Sequence, residues 1–328
     1  MKIFNFSEEK NRKNYEKIVV IGGGTGCYQL LKGLKLYPFE ITAIVTMFDS
    51  GGSTGTLRCE FGVLPPGDIR KCLLALAPES DEFDLQRLFM YRFPSASSVS
   101  GHSFGNLFIT ALNEIYDGDF AKAAEQAGRL LRVCGNIYPV TKENADLWAI
   151  LEDGQKIFGE ANIDIPKHNA NLKIKEIGLS REVSIYEKAK ESIENADKIV
   201  IGPGDLYTSL LPNFLVKGMK ESLQKSKARK IYVCNVMTKW GETNFFKASK
   251  FLQEIHKYLD GVALDFMICN NRVFSQEILE RYALEYAEPV EIDAQNIHGI
   301  ELICSDVAQE KDYARHDPRK ICDIIQRI

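Results

Sequence analysis

Apolar residues fall along this 328-residue chain in two alternating textures. Short, continuous, β-branched runs occupy residues 18–21, 40–47, 198–201 and 230–234 and part of 261–269, as strands buried on both faces of a parallel sheet do. Between them apolar residues recur every three or four positions, first as Leu30, Leu31 and Leu34 within 28–36, which predicts helices with one face on the core. The same spacing gives helices over 69–77, 83–93, 108–115 and 184–195, one capped by Asp119 and ending near Arg132, one carrying Tyr282, and one at the end of the chain. Strands are expected near Val290 and Leu302. From 136 to about 180 the pattern changes to short strands, and Asp153-Gly154 between the stretches 146–152 and 155–160 is a strong hairpin signal. The whole reads as an α/β chain: a mainly parallel sheet within a single domain over 17–328, a small antiparallel lobe inserted at about 136–180, and a polar, aperiodic arm over 1–16. No chemistry is expected in the lobe.

The first strand breaks into Gly22-Gly23-Gly24-Thr25-Gly26 and a helix follows. Glycine permits positive φ and, lacking a Cβ, lets a ligand approach the backbone. The free N–H groups and positive end of the next helix then favour an anion. The loop is not the dinucleotide fingerprint, because Cys27 or Gln29 stands at the third glycine position, and it lacks a Walker-type lysine. An NAD dehydrogenase and that route to ATP hydrolysis are therefore not indicated. Polar loops also follow the other expected strands, at 49–55, 202–209, 235–243 and 270–272. Ligands of open α/β sheets bind at the carboxyl edge, where strand order reverses, so five such loops make a composite site.

The candidate residues there are Gly22, Gly23, Gly24, Gly26, Gly51, Gly52 and Gly204 for their backbone, Thr25, Ser50, Ser53, Tyr207, Thr208 and Thr238 for their hydroxyls, and the amides Asn106 and Asn235. Asp49, Asp68, Asp205 and Glu242 supply acid, and Arg70, Arg315, His102 and Tyr282 complete the set. It suits a phosphorylated, polyhydroxylated ligand such as a nucleotide or nucleotide sugar. Several members have a second reading. Asp68 is also placed to cap a helix, His102 to sit beside one, Tyr282 to face the core, and Arg315 to pair with Asp312 or Asp317. Arg70 in a first helical turn calls for an anion partner. Asp49 either holds Mg²⁺ against a phosphate or bonds its own backbone. No G-x-S-x-G nucleophile elbow occurs, and no catalytic residue is assigned.

A net charge of −4 and a pI near 5.9 argue against a nucleic-acid partner. The eight cysteines form no C-x-x-C pair and no metal spacing with the five histidines, so reduced thiols are expected. The polar start lacks a signal-peptide core, and no run approaches the roughly 18 apolar residues of a membrane span. The expectation is a soluble, cytoplasmic protein without a membrane partner.

Seven stretches, IGGGTG, DSGGSTG, PPGDIR, GHSFGNL, GPGDLYTS, NVMTKWGET and RHDP, together resemble the motifs of the YvcK-like (gluconeogenesis-factor) proteins of the CofD superfamily, over about 18–318. The resemblance implies a Rossmann-like, doubly wound fold that binds UDP-sugars such as UDP-N-acetylglucosamine and supports carbon metabolism and cell shape. A homodimer is plausible for that family. The superfamily's enzyme branch, 2-phospho-L-lactate transferase, moves a phospholactyl group from a nucleotide diphosphate carrier onto a deazaflavin with Mg²⁺. This chain looks closer to the first branch: Asp49 is followed by Ser50 where the usual family loop has two adjacent acids, and serine is the weaker Mg²⁺ ligand.

Overall fold

The computed structural model describes residues 15–78, 85–94 and 98–328. The chain runs β1 (Glu16–Gly22), α1 (Gly24–Leu34), β2 (Phe39–Val45), α2 (Gly52–Phe61), α3 (Pro66–Leu76), α4 (Leu85–Met90), α5 (Phe104–Ile115), α6 (Phe120–Leu130) and β3 (Asn136–Pro139). A lobe follows, with β4 (Leu147–Leu151), β5 (Lys156–Phe158), α7 (Glu160–Asp164) and β6 (Ile174–Leu179). Then come α8 (Glu187–Glu194), β7 (Lys198–Ile201), α9 (Leu211–Phe214), α10 (Met219–Lys225), β8 (Arg229–Val233), α11 (Ala248–Leu259), β9 (Phe266–Asn270), α12 (Gln276–Leu284), β10 (Glu301–Ser305), β11 (Ala308–Glu310), β12 (Ala314–His316) and α13 (Pro318–Arg327).

Seven of these strands form one sheet in the order β10-β9-β8-β7-β1-β2-β3, every neighbouring pair parallel. Parallel neighbours need crossovers, and crossover helices cover both faces. Ile18, Val20 and Ile21 accordingly have no exposed surface and Val19 only 2%, although successive residues face opposite sides. From β1 the chain winds outward through β2 and β3, then returns to β7 on the other side of β1 and winds the other way. The reversal between β1 and β7 is the switch point of a doubly wound sheet, and it opens a crevice beyond the strand ends. α1 buries Leu30, Leu31 and Leu34 and packs against α3 and α13.

Local signals placed most elements, and the differences are instructive. α1 starts at Gly24 and α2 at Gly52, so glycines expected in loops form first helical turns. α5 likewise starts at Phe104, where Ser103 accepts the Asn106 N–H, rather than at Phe108. The stretch expected as a helix over 83–93 is helical at Leu85–Met90, and residues 79–84 lie outside the described residues, as do 95–97 of the following loop and 1–14 of the arm. Glu16, assigned to the arm, already pairs with Phe39. Near Val290 there is only an isolated bridge between Met237 and Pro289. The lobe is a three-stranded antiparallel sheet, β5-β4-β6, with its hairpin at Asp153-Gly154, but β3 at its expected start belongs to the main sheet. No helix among the described residues is long and apolar enough to cross a membrane.

Candidate ligand cleft

The loops after β1 and β7 meet at the switch point. A Cβ on Gly26 would stand 2.4 Å from the Pro203 carbonyl oxygen, so glycine is required for this contact. α1 begins beside it at Gly24, whose φ of +68° also favours glycine. The helix has no side-chain cap and no acid in its first turn. The Gly24 N–H donates to Asp68 Oδ2 (2.7 Å), while those of Thr25 and Gly26 meet no side chain among the described residues. Asp68 thus lies within the first turn of α3, whose N-cap is Pro65, and braces the neighbouring glycine loop instead of capping its own helix.

A cleft of about 640 Å³ opens over this helix end, within the range of small-molecule sites. Gly23, Gly24, Thr25, Gly26, Gly204, Asp205, Asn235, Thr238, Tyr282 and Arg315 line it, all of them named from the sequence. The other walls come from residues the sequence reading did not single out: Trp240 and His316, and Asp164, Ile165 and Pro166 of the lobe. Arg315 is exposed and has no ion pair among the described residues; Asp317 instead caps α13 through the Arg319 and Lys320 N–H groups. Tyr282 is half-buried, and its hydroxyl donates to the Ala314 carbonyl (3.0 Å), fastening α12 to β12. Thr238 is buried and exchanges hydrogen bonds with the Glu288 backbone.

A knot of charge forms part of the cleft wall and continues behind it. Lys239 Nζ bonds Asp164 of the lobe, Asp205 (2.9 Å) and Glu242 (2.8 Å). Burial alone would lower the lysine's pKa, but the three carboxylates raise it and keep the ammonium charged. Burial pushes Glu242 up to about 7. This carboxyl also accepts the Tyr207 N–H (3.2 Å) and the Thr208 hydroxyl (3.3 Å). Glu242, Tyr207 and Thr208 therefore support the wall from within, away from its surface. Asp164, Asp205 and Glu242 converge as three metal ligands would, and the ammonium already bonds all three.

The remaining sequence candidates form a second network, under α2, α3 and α5. Arg70 is buried; its Nε donates to Asn106 Oδ1 (2.8 Å), and burial followed by Arg92 lowers its pKa. Asn106 Nδ2 donates to Ser53 Oγ (3.1 Å), and that hydroxyl reaches His102 Nδ1 (2.9 Å). The partner of Arg70 is thus an amide, not the anion its position suggested, and the four side chains brace one another. Gly22 ends β1. Asp49 Oδ1 accepts the Gly51 N–H (2.8 Å), the turn-forming reading. Ser50 Oγ accepts the Ala161 N–H (3.1 Å) and Glu160 Oε2 accepts the Ser50 N–H (3.3 Å), so Asp49 and Ser50 hold the lobe. Burial, reinforced by Asp49 and Asp164, pushes the Glu160 carboxyl up to about 9, and Glu160 bonds Asp49 as an acid.

This geometry bears on the magnesium expected at Asp49. Lys71, whose Nζ lies 2.9 Å from Asp68 Oδ1, also lends positive charge to Asp49, but burial outweighs it and raises the Asp49 pKa. With Asp49 bonded by the Gly51 amide and the Glu160 acid, and Asp68 by Gly24 and Lys71, the donors do not form an open divalent site.

A doubly wound sheet with an uncapped helix N-terminus in a cleft at its switch point defines the class. The model of the family described as 2-phospho-L-lactate transferase CofD matches residues 18–308, and the chain belongs to that family. A putative gluconeogenesis factor of Thermotoga maritima is 45% identical over 321 residues, 95% of this chain and 99% of that one. The gluconeogenesis factor of Bacillus subtilis is 38% identical over 313 residues, 94% of this chain and 96% of that one. A crystal structure of a Bacillus halodurans protein superposes with a TM-score of 0.90 at 40% identity, covering 95% of this chain and 99% of that one.

Proposed function

We propose that the protein binds a nucleoside-diphosphate sugar in the switch-point cleft, UDP-N-acetylglucosamine being the expected member, and that binding serves regulation of carbon metabolism and cell shape rather than group transfer. The observation that carries this reading is the pairing, in one cleft, of an uncapped helix N-terminus with an exposed arginine, Arg315, that has no ion pair among the described residues and lies 5.9 Å from the Tyr313 ring. Backbone N–H groups and guanidinium are complementary to phosphate oxygens. The name of the relatives, gluconeogenesis factor, supports the link to carbon metabolism. Lys239 bonds the cleft acids Asp164 and Asp205, which offsets part of their opposition to a diphosphate at that point.

A thermal-shift screen of nucleotides and nucleotide sugars tests the reading. A ligand at 100 times its Kd adds about 2.7 kcal/mol to the unfolding free energy. The expected result is stabilisation by UDP-sugars that survives a metal chelator, with no new product by mass spectrometry. Indifference to every nucleotide would remove the reading. Multiple turnovers with a nucleotide-linked donor would move the protein to the transferase branch.

A further inference from the structure

The cleft wall built by the β8 loop and β12 carries two hydrogen-bond acceptors that no protein group satisfies. His316 Nε2 lies 2.9 Å from the Cys234 carbonyl oxygen. A carbonyl only accepts, so Nε2 carries the hydrogen. Burial pushes the ring's pKa down to about 4, which leaves the imidazole neutral at pH 7 and Nδ1 with its lone pair. Among the described residues no donor bonds Nδ1. Asn235 shows the same arrangement. Its Nδ2 donates to the Gly204 carbonyl (2.9 Å), which sets the amide's orientation, and its Oδ1 is buried without a partner.

Both residues line the cleft. Each uses its donor on a backbone carbonyl and is left with an acceptor, so a ligand facing this wall must bring hydrogens. The anchoring carbonyls lie beyond β7 and β8, one and two strands from β1, or about 5 and 10 Å across the sheet at the usual strand spacing. Both lie on one side of the α1 helix end, where a non-phosphate part of a nucleotide sugar would extend from its diphosphate. Trp240, also on the wall, stacks at 4.9 Å on the exposed Tyr286 ring and adds a flat apolar surface beside the acceptors.

We infer that Asn235 Oδ1 and His316 Nδ1 set the cleft's specificity by accepting hydrogen bonds from uncharged N–H or O–H donors on the non-phosphate part of the ligand. The inference rests on the nucleotide-sugar reading. Two sources carry that chemistry, the imide N–H of a pyrimidine base and the hydroxyls of the sugar. A site built around hydrogen-bonded partners rejects analogues that lack them, because its own polar groups are then left unpaired.

Calorimetric titration of the intact protein with UDP, N3-methyl-UDP and UDP-glucose separates the outcomes. If the base is the donor, N3-methylation weakens binding at least tenfold in the wild type, whatever any variant does to folding. If the sugar is the donor, methylation is silent, UDP-glucose binds at least tenfold more tightly than UDP, and Asn235→Leu or His316→Phe erases that gain. The inference is overturned if methylation is silent and both variants, checked for folding by urea midpoint, bind UDP and UDP-glucose as the wild type does. Failure of all three to bind the wild type would overturn the nucleotide reading, and the inference with it.

Discussion

Lys239→Met is expected to lower the unfolding free energy by about 2–3 kcal/mol at pH 7. Removing one partner from a buried ion pair costs roughly 3–5 kcal/mol, because the remaining charge is left uncompensated. Here the lysine side chain is 30% exposed and Asp205 43%, so solvent screens part of the loss, whereas Glu242 has no exposed side-chain surface. Without the ammonium, three carboxylates from the lobe, the β7 loop and the β8 loop face one another. The loss should shrink as the pH falls below about 7, where Glu242 takes up a proton. Urea midpoints of wild type and variant at pH 7 and pH 4.5 measure both effects. A change below about 0.5 kcal/mol at pH 7, as for an exposed pair, would contradict a structural role.

Glu160→Gln is expected to stabilise the protein in mildly alkaline buffer. In the native state Glu160 holds its proton up to about pH 9, against an ordinary carboxyl value of 4.5. Below the lower value both states are protonated, and folding has no proton cost. Between the two values the unfolded chain releases a proton that the folded chain keeps, so wild-type stability falls as pH rises, by about 1.4 kcal/mol per unit. Glutamine reproduces the neutral acid: its carbonyl accepts the Ser50 N–H and its amide donates to Asp49. The variant should therefore gain on the order of 2–3 kcal/mol relative to wild type between pH 6 and pH 8. Parallel stability profiles across that interval would show that Glu160 is ionised in the folded protein.

These two residues also mark where the sequence was silent. β1, β2, β7 and β8 were legible because their apolar runs are continuous, and the Asp119 cap and the Asp153-Gly154 hairpin because their signals are local. β3 was assigned to the lobe because a four-residue strand gives no sign that its partner is β2, nearly 100 positions earlier. The lobe showed no chemistry of its own, yet α7 places Glu160 beside Asp49 and Asp164 on Lys239. Lys239 stood in a quoted motif without being named as a cation, since the farthest of its three acids, Asp164, lies 75 residues away. Arg70, by contrast, was named as an anion contact from its helix position, and Asn106, 36 residues away, takes its guanidinium. Glycine loops announce a phosphate edge locally; which polar groups face it and which support it is decided by long-range packing.

On the reading proposed above, a diphosphate-bearing ligand occupies the cleft between the α1 N-terminus and Arg315. Titration of UDP-N-acetylglucosamine into wild type and Arg315→Glu tests it most directly, because Arg315 is exposed and without an ion pair among the described residues, so its reversal leaves the fold intact. The account predicts saturable binding to the wild type and a Kd at least tenfold higher in the variant, about 1.4 kcal/mol. Equal affinity in the two proteins, or no binding to the wild type, would contradict it.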